Sequence, residues 1–379
     1  MTGPLAGLRV LEMEAIGPVP WAGMMLADMG ADVVRIDRPE AQDMGMRRDE
    51  RFQFAGRGKR SVLVDLKTPE GRDLVLDLAE RADVLLEGLR PGVMERLGLG
   101  PADCMARNPA LVVGRMTGWG QSGPLAQAVG HDINYIATTG VLHAIGPADG
   151  PPTVPLNLIG DFGGGGMLLL VGVLAALLES RTSGKGQVVD AAMVDGSLAL
   201  LAPILGQWQA GDWSDRRQAN WLDGAAPFYT TYSTSDGGHV AVGAIEPRFY
   251  AALLEGLGLQ DEALPRQHDK AAWPALRERF AAIFRRRPRD HWTTVFDGTE
   301  ACVSPVLSFA EAAAQPHLAA RGNFVEIDGA VHPAPAPRFA RTPSRIGGAP
   351  VVRGAGSDAA LAHWGVKPRG GLPCLSQYS

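Results

Sequence analysis

The sequence predicts an α/β protein: a Rossmann-like, doubly wound large domain with a smaller α+β domain. Three observations carry this expectation. A strand, a helix and a strand alternate within residues 8–36, and the alternation recurs as far as Met116. Beyond Asn220 it gives way to shorter elements around an Asp236-Gly237 hairpin signal. At 379 residues the chain has room for two such units.

Leu8 to Met13 is an apolar run of strand length, and Glu14-Ala15-Ile16-Gly17-Pro18-Val19-Pro20 after it reads as loop. From Trp21 to Met29 apolar residues fall at helical spacing, and Gly30 ends that helix as a cap. Asp32 to Ile36 is the second strand. A helix near Pro69 to Arg81, a strand Asp83 to Leu86, a short helix after Pro91 and a strand Leu111 to Met116 complete the first half. The turn Arg181 to Gln187 leads into Val188 to Ala192, and a long helix containing Gly196 to Trp208 follows. Gly211 to Asn220 is polar and reads as a linker. Tyr229 to Ser233 and His239 to Ala244 flank the hairpin turn. Helices over roughly Pro247 to Gly256 and Ala271 to Arg286 come next, then strands at Val303 to Phe309 and Asn323 to Ile327. Pro333, Pro335 and Pro337 make a stiff connection, and a helical turn near Asp358 to His363 stands in a Gly- and Pro-rich tail. The expected division is 1–190 with 330–379 as the large domain, 191–225 as linker helices and 226–329 as the small domain.

Hydrophobic residues at 46% and charged residues at 20% are ordinary for a soluble globular chain. A formal charge of -5 gives no reason to expect nucleic acid or an anionic membrane as partner. Cys104, Cys302 and Cys374 form no CxxC, which points to a reducing compartment and no metal site. Met1-Thr2-Gly3-Pro4 lacks a charged start followed by an apolar core, so a signal peptide is not expected. The longest apolar run, Met167 to Leu178, is 12 residues, too short to span a bilayer, and reads as a buried core helix. A cytoplasmic protein without membrane insertion is expected. No GxGxxG follows the first strand, so a nicotinamide cofactor is not expected despite the fold.

Arg35, Arg38, Arg47, Arg48, Arg51, Arg57, Lys59 and Arg60 crowd one segment, with Asp43, Asp49 and Glu50 interspersed. It reads either as a solvated loop or as a site for a compact polyanion, because arginine forks grip phosphate well. Gly88-Leu89-Arg90-Pro91-Gly92 and Arg96 add cations beyond another strand end, where open α/β sheets bind ligands. The acidic net charge favours a small phosphorylated ligand over DNA or RNA.

The most informative stretch runs from Gly130 to Gly166. Gly130-His131-Asp132-Ile133-Asn134-Tyr135 opens one helix, and Asn157-Leu158-Ile159-Gly160-Asp161-Phe162 precedes four consecutive glycines. An imidazole and a carboxylate 30 positions apart thus each stand at a helix mouth. His131 reads either as a helix-capping or buried, hydrogen-bonded ring, or as a proton-transfer group. Asp161 reads either as an N-cap, which would depress its pKa, or as a base whose proton affinity desolvation restores. The glycines Gly163 to Gly166 exceed what a cap requires and would leave N–H groups bare for an oxyanion. His268, His291, His317 and His363 lie among polar residues and are ordinary by context. Gly118-Trp119-Gly120-Gln121-Ser122-Gly123 is not a GxSxG elbow, and no spacing fits a metal site.

These residues resemble the class III (CaiB/BaiF-type) CoA-transferase superfamily and, within it, the α-methylacyl-CoA racemases. The likeness runs from Gly7-Leu8-Arg9-Val10-Leu11-Glu12 to Pro335-Ala336-Pro337-Arg338-Phe339. Between them lie Leu26-Ala27-Asp28-Met29-Gly30-Ala31-Asp32-Val33-Val34-Arg35, Asp65-Leu66-Lys67, Arg90-Pro91-Gly92-Val93 and Gly184-Lys185-Gly186-Gln187. The stretch Gly130 to Tyr135 looks like the racemase form, since transferases more often carry an aromatic residue in place of the histidine. One departure is Val19, where many relatives have glycine; an isopropyl group there would narrow a pocket that this loop lined.

The resemblance implies that His131 and Asp161 are acid/base groups on opposite faces of a substrate α-carbon, with Glu246 orienting the histidine. It implies CoA binding by Arg38, Val64, Asp65, Leu66, Lys67, Gly88, Leu89, Arg90 and Arg96, and by Gly130, Asp132, Ile133, Asn134 and Tyr135. It also implies an interlocked homodimer, each site combining one chain's large domain with its partner's small domain. The expected activity is racemisation of 2-methylacyl-CoA thioesters through an enolate held near Asp161-Phe162-Gly163. Metal and organic cofactor are not expected, CoA being part of the substrate. A CoA-transferase with Asp161 as nucleophile and a non-catalytic acyl-CoA-binding protein are the alternatives. Met24-Met25 and Phe228-Tyr229 read either as acyl-pocket lining or as core.

Overall fold

Six parallel strands form the central sheet of the computed structural model, which describes residues 2–40 and 49–367. Asp43, Arg47, Arg48 and Cys374 lie outside the described residues. In chain order the elements are β1 (Arg9–Met13), α1 (Pro18–Asp28), β2 (Asp32–Asp37), β3 (Arg60–Leu63) and α2 (Pro69–Ala79). There follow β4 (Val84–Glu87), α3 (Val93–Arg96), α4 (Pro101–Arg107), β5 (Val112–Thr117) and α5 (Asp132–Thr138). A π-helix, Leu158–Met167, runs directly into α6 (Leu168–Ser183), and β6 (Val188–Ala192) and α7 (Met193–Ala210) come next. The strand order is β3-β2-β1-β4-β5-β6, so the winding reverses between β1 and β4. Val10 lies opposite Val33 on one side and Val84 on the other.

The strands read as nearly continuous apolar runs because helices cover both faces of the sheet. Alternation splits them cleanly. Leu11, Val34 and Leu85 enter one core, and Val10, Val33 and Leu86 enter the other. α1 starts at Pro18, earlier than the loop reading allowed, because prolines are tolerated in a first turn whose N–H groups lack partners anyway. β3 and α4 were not expected: β3 is four residues long and opens on a charged residue, Arg60. The helical stretch Leu158–Ser183 is longer than its apolar run suggested, and by length and composition it could cross a membrane. One face of α6 is buried, with Leu169 and Val173 so close to β5 that a side chain at Gly114 would meet them at 2.9 Å. The other face leaves Val171 and Leu178 exposed, so the buried-helix reading holds for half of it.

Contacts divide the chain into two units: Met1–Thr139, Leu156–Leu200 and His317–Ser379, then Gly140–Pro155 with Leu201–Pro316. In the second, β7 (Tyr229–Ser233) and β8 (His239–Gly243) pair antiparallel around Asp236-Gly237, with Gly237 at φ +79. α8 (Pro247–Gly256), α9 (Trp273–Phe284) and an unexpected α10 (Arg289–Phe296) follow. β9 (Val303–Pro305) pairs with β8, and α11 (Phe309–Ala314) comes after it. Phe228, Tyr232, Phe280, Phe284 and Trp292 make its core aromatic. Gly211 to Asn220 is not a loose linker. Asn220 is buried and donates to the Ser214 and Arg216 carbonyls, while Arg217 binds the carbonyls of His143, Pro147 and Gly150. The chain then passes through α12 (Pro316–Ala320) and the hairpin β10 (Phe324–Ile327) and β11 (Ala330–Pro333). α13 (Ser357–Trp364) ends the described part of the first unit, with Trp364 buried beside the sheet and donating to Asp32 at 2.8 Å.

Candidate active site

A cavity of about 420 Å³ opens where β1, β4 and β5 end, at the reversal of strand order. Ligands of doubly wound sheets bind at this place because the loops on either side diverge there. Its walls are Ile16 to Val19 after β1, Gly88 to Pro91 after β4 and Met116 to Trp119 at the end of β5. Gly130, His131, Tyr135, Asn157 and Asp161 also line it. The two candidate proton-transfer groups therefore line one space.

His131 is the N-cap of α5, with extended backbone at φ -131 and ψ 175. Its N–H donates to the Asn134 side chain at 3.0 Å, and its carbonyl accepts the Asn134 N–H at 2.8 Å. The His131 backbone and the Asn134 side chain close the helix start between them, so the ring is not consumed by capping. Below it, the Tyr135 hydroxyl donates to the Gly130 carbonyl, and the Tyr135 ring packs edge-on against Trp119 with centroids 4.9 Å apart. A side chain at Gly130 would meet that ring at 2.9 Å. The glycine before the histidine is there for close approach.

Asp161 is not an N-cap. It sits inside the π-helix, whose N-cap is Asn157. The Asn157 amide donates to Asp161 Oδ2 at 2.9 Å, and a Cβ placed on Gly17 (φ +67) would be 3.3 Å from that oxygen. The Asp161 N–H donates to Asp132 Oδ2 at 2.7 Å. Burial pushes the Asp161 carboxyl above its ordinary value and the Asp132 charge adds to this, against the Asn157 hydrogen bond and His131. The depression expected of a cap does not occur.

The four glycines have another purpose than the one expected. In a π-helix each N–H is directed to the carbonyl five residues earlier, so Gly163 to Gly166 spend theirs in the helix. What matters is the missing Cβ. One on Gly164 would lie 2.7 Å from the Ser197 nitrogen, and one on Gly166 2.6 Å from the Trp21 ring. The Asp161 N–H is likewise occupied, which removes it as a donor to an enolate.

A second cavity, about 350 Å³, shares Leu89 with the first and lies at the ends of β1, β2, β3 and β4. Arg38, Asp65, Leu66 and Lys67 line it, whereas Gly88, Leu89 and Arg90 line the first. Val64 is core, and Arg96, Ile133 and Asn134 are exposed outside both linings. Asp132 is buried against the π-helix. Val19 is buried and lines the first cavity; a Cβ on Gly88 would meet its Cγ2 at 2.9 Å. Glu246 is exposed at the N-cap of α8 in the second unit, near the Cys302 thiol.

The described part of the basic segment is mostly internal wiring. Arg57 pairs with Asp28 at 2.5 Å, and Lys59 with Glu12 at 2.6 Å and the Pro20 carbonyl at 2.8 Å, all buried. Arg35 pairs with Asp37 at 2.8 Å, and Arg60 pairs with Asp32. Neither the solvated-loop nor the polyanion reading fits these four. Arg38 does face a cavity, paired with Glu14 at 3.0 Å. Glu14 also binds Arg353 at 2.5 Å. Burial alone would push Glu14 up, but the hydrogen bonds from Arg353 and Arg38 outweigh it and hold its pKa at about 2. Neither Glu14 nor Arg353 was legible as a site residue, since 339 positions separate them.

Fold and site together define a doubly wound α/β protein with an acid–base cavity at the switch point and a charged cavity beside it. The chain belongs to CoA-transferase family III, whose pattern matches residues 5–355. It is 47% identical over 342 residues to the mouse protein named alpha-methylacyl-CoA racemase, covering 90% of this chain and 87% of that one. The human protein of the same name is 46% identical over 341 residues, with the same coverage. A CAIB/BAIF family protein from Brucella suis has a similar crystal structure, with a TM-score of 0.80 and 27% identity over 96% of this chain and all of that one.

Proposed function

We propose that this protein interconverts the R and S forms of 2-methylacyl-CoA thioesters by proton transfer at the α-carbon. The observation that carries the reading is one cavity lined by both His131 and Asp161, with the carboxyl raised above its ordinary value. The mouse and human relatives, whose name states this activity, support it. One of the pair removes the α-proton, and the C–H electron pair passes into the thioester as an enolate. The other group returns a proton to the opposite face, and the roles reverse for the other enantiomer. A raised carboxyl suits both tasks, since an acid–base group works best with its pKa near the operating pH. No cofactor beyond the thioester is needed.

CoA would extend from Gly88, Leu89 and Arg90 into the neighbouring cavity, where Arg38 and Lys67 meet phosphate. Glu246 would orient His131 from the partner chain of an interlocked homodimer. The test is incubation of one enantiomer of a 2-methylacyl-CoA in deuterated water. Deuterium should enter the α-position with loss of optical activity, and His131→Ala or Asp161→Asn should slow this by roughly 10²- to 10⁴-fold. CoA affinity should change little. Absence of exchange in the wild-type protein, with CoA moving to a free acid acceptor instead, would make it a transferase using Asp161 as nucleophile.

A further inference from the structure

Asp132 is the charged residue that the mechanism above leaves without a task. It opens α5 directly after His131, yet its side chain is only 5% exposed and turns away from the cavity lining. Its Oδ2 accepts the Asp161 N–H at 2.7 Å. Its Oδ1 is sealed from solvent and has no hydrogen-bond partner among the described residues. A half-satisfied buried carboxylate is costly to keep. The chain also makes room for it: a Cβ on Gly160 would lie 2.6 Å from Oδ2.

We propose that Asp132 is a positioning residue for the proton transfer: it tethers the backbone at Asp161 and keeps a second carboxylate behind the first, without touching substrate. This rests on the racemase reading. The tether ties the start of the π-helix to the start of α5, so the carboxyl and the imidazole are held on one frame. The charge acts on protonation. Asp161 is faced by His131, Asp132 and Tyr135 from α5 and by Asn157 from its own helix. Arg90 stands on the cavity wall, and α1 contributes only uncharged Gly17. Burial first, and then the Asp132 charge, make the Asp161 carboxyl hold its proton more tightly.

Asp132→Asn keeps an oxygen for the tether and removes the charge. The pH dependence of α-deuterium exchange should then move to lower pH by roughly half to one unit. The sign is the same in both directions. Where Asp161 must be ionised to take a proton, the acid limb moves down; where it must be protonated to give one, the alkaline limb moves down. KM should stay within about two-fold. Carbon-13 NMR of labelled aspartates, with Asp161→Asn assigning the signal, should show the same downward shift without any turnover. That arm separates this inference from the racemase reading, because it holds or fails whether or not the protein exchanges α-protons. Gly160→Ala, which drives a methyl group into the Asp132 carboxylate, should lower exchange at least ten-fold with the protein still folded. An unshifted Asp161 titration in Asp132→Asn would overturn the proposal. So would loss of folding in that variant, which would assign Asp132 to the fold alone.

Discussion

Glu14 and Asp161 stand at the ends of neighbouring cavities, and their surroundings drive them in opposite directions. Both are partly withdrawn from water, which by itself raises a carboxyl pKa. Glu14 has two guanidinium groups within 3.0 Å and is held at about 2. Asp161 has an amide and a carboxylate beside it instead, and rises. Burial raises both carboxyls, and only at Glu14 do the partner guanidinium groups overturn it; at Asp161 the Asp132 charge adds to the rise. A carboxyl with a depressed pKa stabilises the fold above its unfolded value of 4.5, and that contribution is lost as pH falls toward about 2. Arg353→Met should therefore raise the Glu14 titration toward 4.5 and shrink the pH dependence of stability in that window. Urea unfolding at a series of acidic pH values checks this; identical profiles for both proteins would contradict it.

At the scale of elements, the π-helix and α7 are matched by glycine on both sides. A Cβ on Gly196 would lie 1.8 Å from the Gly164 carbonyl oxygen, and one on Gly164 would lie 3.0 Å from the Gly196 carbonyl carbon. Backbone rather than a flexible side chain is in the way, so the helices must part to admit a methyl group. Gly196→Ala should destabilise the protein by roughly 1–3 kcal/mol or more, read as a lower urea midpoint. An unchanged midpoint would show that the crossing is looser than the geometry implies. The periodic pattern gave the long helices, but it could not give the π-helix. A widened turn depends on what packs around it, here Trp21, Met193 and Ser197.

For the whole molecule, α6 and α7 are among the elements of the first unit that leave large apolar residues exposed. Val171 is 59% exposed, Leu178 72% and Leu200 55%. A second copy covering the exposed side of α6 agrees with the interlocked homodimer proposed above, since contiguous exposed apolar surface marks interfaces. Leu178→Asp should lower the mass measured by light scattering toward that of one chain, and exchange activity should fall with it because Glu246 would come from the partner. A variant that kept its full mass would remove this face from the interface. The buried Glu12–Lys59 and Asp28–Arg57 pairs organise the same unit internally, tying the residues before β3 to β1 and α1. From the sequence they read as part of a solvated loop or of a ligand site, because a run of cations carries no sign of which carboxylates will fold against it.

What the sequence determined by itself is the alternation of strands and helices, hence the parallel sheet and its switch point, and the pair of His131 and Asp161 flanked by glycines. Those are local properties: period, turn chemistry and residue type are all read within a few positions. What only the tertiary structure decided is how each group behaves. Asp161 proved a raised carboxyl in a widened helix instead of a depressed cap, and Asp132 proved buried, with its Oδ2 accepting the Asp161 N–H. The run Gly163 to Gly166 proved to be a close helix crossing, and Arg57 and Lys59 of the basic segment proved to be in buried ion pairs. Proton affinity, backbone access and charge pairing all depend on groups brought within a few ångströms from distant parts of the chain, and no local pattern encodes that proximity.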